Sequence, residues 1–210
     1  MIIKKEGYNI VIVGGWNKSI FTPQWVSSKL FKKSGILYEF PLNINAPPRY
    51  TDNEVRLFIE TNKIILSALV PSDENLNKIE QLAINVVELL PHTPVISFGI
   101  NFGFVEDIEK SSILNNFNIN DNADITEIMG EIIETNITRT IKIENVLLNF
   151  NIIKNQQKIS IDFNIHFTIN EALDVKNIFI KKSFIKYKNE ILSILKNLYD
   201  LEPSTEEENL

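Results

Sequence analysis

The sequence contains no cysteine. Disulfide staples, thiolate zinc sites, iron–sulfur clusters and a cysteine nucleophile are therefore excluded. Histidine is limited to His92 and His166, and neither has a second histidine or a cysteine at ligand spacing, so no metal site is expected. Arginine occurs only at Arg49, Arg56 and Arg139, and the formal net charge is −6. Nucleic-acid binding calls for a basic face with arginine forks. The lysine clusters at Lys4–Lys5, Lys32–Lys33 and Lys181–Lys188 are offset by the acidic ending "EPSTEEENL", so no nucleic-acid partner is expected. No segment approaches the ~20 apolar residues that cross a bilayer. The start "MIIKKEGYNI" lacks the apolar run of a secretory signal. These absences point to a cytoplasmic protein without a membrane partner.

What remains is a chain of 210 residues, 44% hydrophobic and 23% charged. That is enough to fold around a core of its own. The patterning predicts an α+β fold: antiparallel strands, about eight in number, with helices packed on one face. Strands are expected at Tyr8–Gly15, Ile36–Leu42, Glu54–Glu60, Ile64–Val70, Val95–Phe104, Glu134–Glu144, Val146–Ile153 and Lys158–Ile169. "NINAPPRYT" reads as an irregular loop. Helices are expected after Thr22 and Pro23, after Pro71 and Ser72 through Leu90, near Ile108–Phe117, and from Ser183 to Tyr199. Strand-strand-strand-helix occurs twice, which suggests a duplicated unit with halves 1–106 and 132–200 inside one domain, 1–202. Residues 203–210 are expected to form a disordered acidic tail. Long antiparallel strands backed by helices resemble the layout of SecB-like chaperones, without a shared motif; that likeness implies a client-binding scaffold.

"VISFGINFGF", Val95–Phe104, carries a heavy set (Ile96, Phe98, Ile100, Phe102, Phe104) and a nearly bare one with Val95, Ser97, Gly99, Asn101 and Gly103. The heavy set should lie beneath the Leu76–Leu90 helix. Glycine in a strand marks a bend or the close approach of another group. Gly99 and Gly103 could admit a bulky neighbour such as Trp16 or Trp25, a bend in the sheet, or a ligand. Lys158–Ile169 alternates as well, with Asp162, Asn164 and His166 on its polar side. That side is either a solvated face or a polar groove.

Catalytic motifs fail on spacing. In "VGGWNKSIF" the glycine that must precede the lysine of a phosphate loop is Asn17, and the third glycine of a dinucleotide fingerprint is missing. Asp162 and His166 sit four apart on one strand, ~13 Å of rise, too far to touch directly. No Gly-x-Ser-x-Gly elbow occurs. No cofactor is expected. The leading expectation is a non-enzymatic protein acting through protein–protein contacts, as a homo-oligomer or an accessory subunit. Tyr8, Trp16 and the Lys158–Ile169 strand are its expected contact elements. A ligand- or peptide-binding scaffold centred on Gly99, Asn101 and Gly103 is the alternative, and an enzyme using His166 with Asp162 ranks third.

Overall fold

The computed structural model describes residues 1–39, 48–108, 113 and 122–204. Among these, alternating residues build ten strands: β1 (Ile2–Ile3), β2 (Asn9–Gly14), β3 (Leu37–Glu39), β4 (Arg49–Thr51), β5 (Val55–Ile59), β6 (Lys63–Ala68), β7 (Val95–Asp107), β8 (Thr135–Ile143), β9 (Val146–Lys154) and β10 (Lys158–Thr168). All belong to one antiparallel sheet, ordered β3-β4-β5-β6-β2-β7-β10-β9-β8, with β1 also paired to β7. The strand count exceeds the expected eight because β1 and β4 are very short. β4 arises inside the stretch read as irregular loop. Tyr50 supplies the reason: its ring is 1% exposed and its hydroxyl donates to the Phe21 carbonyl, fixing the segment against β3 and β5.

The long strands β7 and β10 pair in a register that matches their heavy sides. Phe98 faces Phe167, Ile100 faces Ile165, Phe102 faces Phe163 and Phe104 faces Ile161. These eight side chains are buried. Each removes roughly 1.5–3 kcal/mol worth of apolar surface from water.

Five helices accompany the sheet among the described residues. Thr22 caps α1 (Pro23–Trp25) by accepting the Trp25 N–H, and Pro23 takes the first helical position. The chain continues as a π-helical segment, Val26–Phe31, and leaves it through Lys32 in the left-handed region. Ser72 caps α2 (Asp73–Leu89), whose Leu76, Ile79, Leu82, Ala83 and Val86 are buried as their spacing requires. The region expected to hold a helix near Ile108–Phe117 lies largely outside the described residues. A helix is described beyond that region, α3 (Asn122–Ile128). Of the acidic ending, residues 205–210 also lie outside them, as do residues 40–42 of the strand expected at Ile36–Leu42. Two helices follow β10: α4 (Asp174–Lys181), absent from the sequence reading, and α5 (Phe184–Tyr199), capped by Ser183.

The helix over β7 differs from expectation. α2 follows β6 through a short connection and lies over β5, β6 and β2. β7 is covered by the helices that follow its other neighbour, β10. Phe102 stacks on Phe184 of α5 at 5.2 Å and 17°, and Phe98 meets Phe179 of α4 edge-on at 5.2 Å. Ile96 lies beyond this cover and is 62% exposed.

One buried charge ties the helix layer together. Glu80 of α2, 8% exposed, accepts the Phe184 N–H at 2.7 Å. Burial pushes its carboxyl above the ordinary value, and the Phe184 N–H opposes this only in part. The unfolded chain ionises at the ordinary glutamate value. Stability tied to a neutral Glu80 is therefore present below that value and is lost as pH rises through the raised one. Glu80→Gln keeps a carbonyl acceptor and cannot ionise. Its melting temperature should gain on that of the parent as pH rises from 4 to 7. A difference that stays constant with pH would refute this account.

Candidate interaction surface

The opposite face of the sheet carries no helix of the α1, α2, α4 and α5 layer. Its side chains fall into rows running across the strands. One row is polar through eight strands: Thr51, Arg56, Ser67, Asn9, Asn101, Asn164, Asn149 and Thr140 are successive cross-strand partners. Five of them form a hydrogen-bonded ladder with one direction. The Thr140 hydroxyl donates to Asn149 Oδ1 (2.9 Å), Asn149 Nδ2 to Asn164 Oδ1 (3.0 Å), Asn164 Nδ2 to Asn101 Oδ1 (2.7 Å), and Asn101 Nδ2 to Asn9 Oδ1 (2.7 Å). Asn9 Nδ2 completes the run at the Glu6 carbonyl, 3.1 Å away. Amide dipoles aligned head to tail polarise one another, so each link strengthens the next.

The adjacent row is largely apolar. Phe58, Ile65, Val11, Gly99, His166, Leu147 and Lys142 are its successive partners, with the Arg49 guanidinium 5.0 Å from the Phe58 ring centre. Phe58, Ile65 and Val11 are half-buried, and Leu147 is exposed.

The bare side of β7 has an internal explanation. A Cβ on Gly99 would stand 2.9 Å from Asn164 Nδ2, so the missing side chain makes room for the ladder. A Cβ on Gly103 would stand 3.0 Å from Lys4 Cδ and 3.1 Å from Asp162 Oδ1. The neighbours admitted are polar side chains from β10 and the N-terminal turn, not Trp16 or Trp25.

That turn, Lys4–Gly7, loops out between β1 and β2. Gly103 bridges its ends: the Lys4 N–H donates to the Gly103 carbonyl at 3.0 Å, and the Gly103 N–H to the Gly7 carbonyl at 2.9 Å. Ion pairs fasten the turn to both sides of the sheet. Lys4 Nζ is 2.7 Å from both Asp162 oxygens, and Glu6 pairs with Arg56 of β5. Between turn and ladder lies an open cleft of about 450 Å³, lined on its floor by Asn9, Asn101, Gly103, Asn151, Asp162 and Asn164.

Six expected site residues thus share one face: Gly99, Asn101, Gly103, Asp162, Asn164 and His166 occupy three adjacent cross-strand levels of β7 and β10. Tyr8 and Trp16 do not join them. They are 1% and 3% exposed and belong to the core. Tyr8 lies edge-on to Phe102 and Phe104, its hydroxyl enclosed without a hydrogen-bond partner, and burial pushes that hydroxyl far above its ordinary range. Trp16 donates its indole N–H to the Ile12 carbonyl. Neither presents a surface to a partner. Asp162 is engaged by Lys4, and His166 stands four residues further along the strand beside Gly99 and Leu147, so the two form no acid–base pair. Among the described residues no group of three His, Asp or Glu side chains could hold a metal ion, and no helix is long and apolar enough to cross a membrane.

No protein-family model matches the chain, and no curated protein matches it.

Proposed function

We propose that the chain acts through protein–protein contacts, as a homo-oligomer or an accessory subunit, and not as an enzyme. The face of its sheet opposite the α1, α2, α4 and α5 layer is the contact surface. The reading rests on how that face is built. Half-buried Phe58, Ile65 and Val11 lie alongside an amide ladder whose members are already bonded to one another. A polar row of this kind stays satisfied when water is displaced, and the apolar row beside it gains from being covered. The strand order supports a duplicated organisation. β2 with the β3-β4-β5-β6 meander and α2 runs outward to one edge; β7 with the β8-β9-β10 meander and its helices runs outward to the other. Two such halves make a wide, continuous platform.

The test is the mass of the protein in solution, with Ile65→Lys and Asn101→Lys as probes of the face. A species larger than the 24.2 kDa chain, or a stoichiometric complex with a purified partner, should weaken in these variants while their melting stays cooperative. A monomer at high concentration that also recruits no stoichiometric partner would overturn the proposal.

A further inference from the structure

One edge of the sheet differs from the other. At the far end β3 is three residues long. At the near end β8 offers nine, and among the described residues nothing pairs with its outer side. Long free edges are normally shortened, kinked or blocked, because their open N–H and carbonyl groups template pairing with another chain. β8 is exposed almost throughout, including Ile141 (45%) and Ile143 (52%). The segment leading into it carries the two most exposed large apolar side chains described, Met129 (82%) and Ile128 (81%), followed by Ile133 (69%). Among the described residues, apolar surface therefore adjoins a backbone edge that no strand pairs.

The charges on this strand are self-complementary. Glu134 precedes it and Lys142 lies near its end, and neither has an ion-pair partner among the described residues. Placing two copies antiparallel about a two-fold axis, as a closed dimer requires, leaves few registers. With Arg139 on the axis, Arg139 opposes Arg139 and Glu134 opposes Glu144, so like charges meet directly. With Thr138 on the axis, Glu134 of each copy lies across from Lys142 of the other, and Ile133 across from Ile143. No like charges then face each other.

Resting on the protein-contact reading above, we propose that a second copy of this chain occupies the β8 edge. The two strands pair antiparallel about Thr138 and join two ten-stranded sheets into one. The occupant follows from the complementarity: the same strand supplies both the acid and the base of each ion pair.

Sedimentation over a concentration series tests this with Glu134→Lys, Lys142→Glu and the double exchange. Each single reversal sets two like-charge pairs across the axis and should raise the dimer dissociation constant by about tenfold or more. The double variant restores opposite charges and should recover wild-type affinity. Circular dichroism melts check that all variants stay folded, as expected for exposed sites. A wild-type dimer indifferent to the single reversals would overturn the β8 edge and leave the contact reading in force. A dimer weakened by the singles but not rescued by the double exchange would overturn the Thr138 register, and with it the proposal. A wild-type monomer overturns pairing at β8 outright, and the contact reading is then decided by the face variants and a purified partner.

Discussion

Phe102→Ala is expected to lower the unfolding free energy by about 3–5 kcal/mol, the usual loss for a fully buried aromatic. Phe102 is 1% exposed and sits where three parts of the chain converge. Phe184 of α5 stacks on one side of its ring, Tyr8 meets it edge-on at 5.2 Å, and Phe163 is its cross-strand partner. Removing the ring leaves these neighbours facing a void, and rigid strands on both sides limit how far the site can collapse. Ile96→Ala is the internal control. Ile96 belongs to the same alternating side of β7 but is 62% exposed, so its loss should stay within about 0.5 kcal/mol. Urea unfolding reports both values as shifts in midpoint at unchanged slope. If Phe102→Ala cost under about 1 kcal/mol, α5 could not be seated on β7 in solution.

That pair of residues also marks where sequence reasoning reaches its limit. Alternation assigns Ile96 and Phe102 to one side of a strand, although the β2–β7 register shifts between Val13 and Gly14, where Val95 is buried and Ile96 exposed. It carries no information about where the helical cover ends, because that depends on which helix lies above. The cover over β7 comes from residues 174–199, far along the chain, and not from α2 immediately before it. Helix starts at Thr22, Ser72 and Ser183 were legible because a cap is a local hydrogen bond between residues three apart. α4 was not, since a helix of eight residues shows only Val175 and Phe179 as its buried stripe. β4 escaped notice for a similar reason, having only Tyr50 to anchor it.

The candidate surface was half legible. Gly99, Asn101 and Gly103 stand out within β7, and Asp162, Asn164 and His166 within β10, through period-two patterning alone. Their registration into common rows depends on strand pairing, which no local pattern encodes. Asn9 and Asn149 were missed because each looks like an ordinary polar residue on a solvated strand. Only the register sets Asn9, Asn101, Asn164 and Asn149 side by side, across 155 residues of chain from Asn9 to Asn164. The usable signal was weak: an asparagine near the centre of the polar side of β7, β9 and β10 and at the start of β2, where β-propensity disfavours it.

The turn that walls the cleft leads to the second large expected effect. Gly7→Ala should destabilise the protein by about 2–3 kcal/mol, and Gly103→Ala by only about 1 kcal/mol, within the range seen for overpacked sites. The difference lies in what each new methyl group would strike. On Gly7 it would stand 2.7 Å from the Gly103 carbonyl oxygen and 2.9 Å from both the Cβ and the carbonyl oxygen of Lys4. Two of these are backbone atoms, held by the hydrogen bonds that join Lys4, Gly7 and Gly103. Relief requires the turn to lift from β7, and lifting it pulls Lys4 from Asp162 and Glu6 from Arg56. On Gly103 the closest atom is Lys4 Cδ at 3.0 Å, part of a flexible chain that can swing aside, and the Gly7 Cα is 3.4 Å away. Denaturant midpoints for the two variants should therefore separate clearly. Equal losses would mean that the Lys4–Gly7 turn does not rest on Gly103, and the cleft would lose its wall. The proposed contact through the ladder face should also weaken in a Gly7→Ala protein that stays folded, because the turn and the ladder meet at Asn9, whose amide bonds to the Glu6 carbonyl.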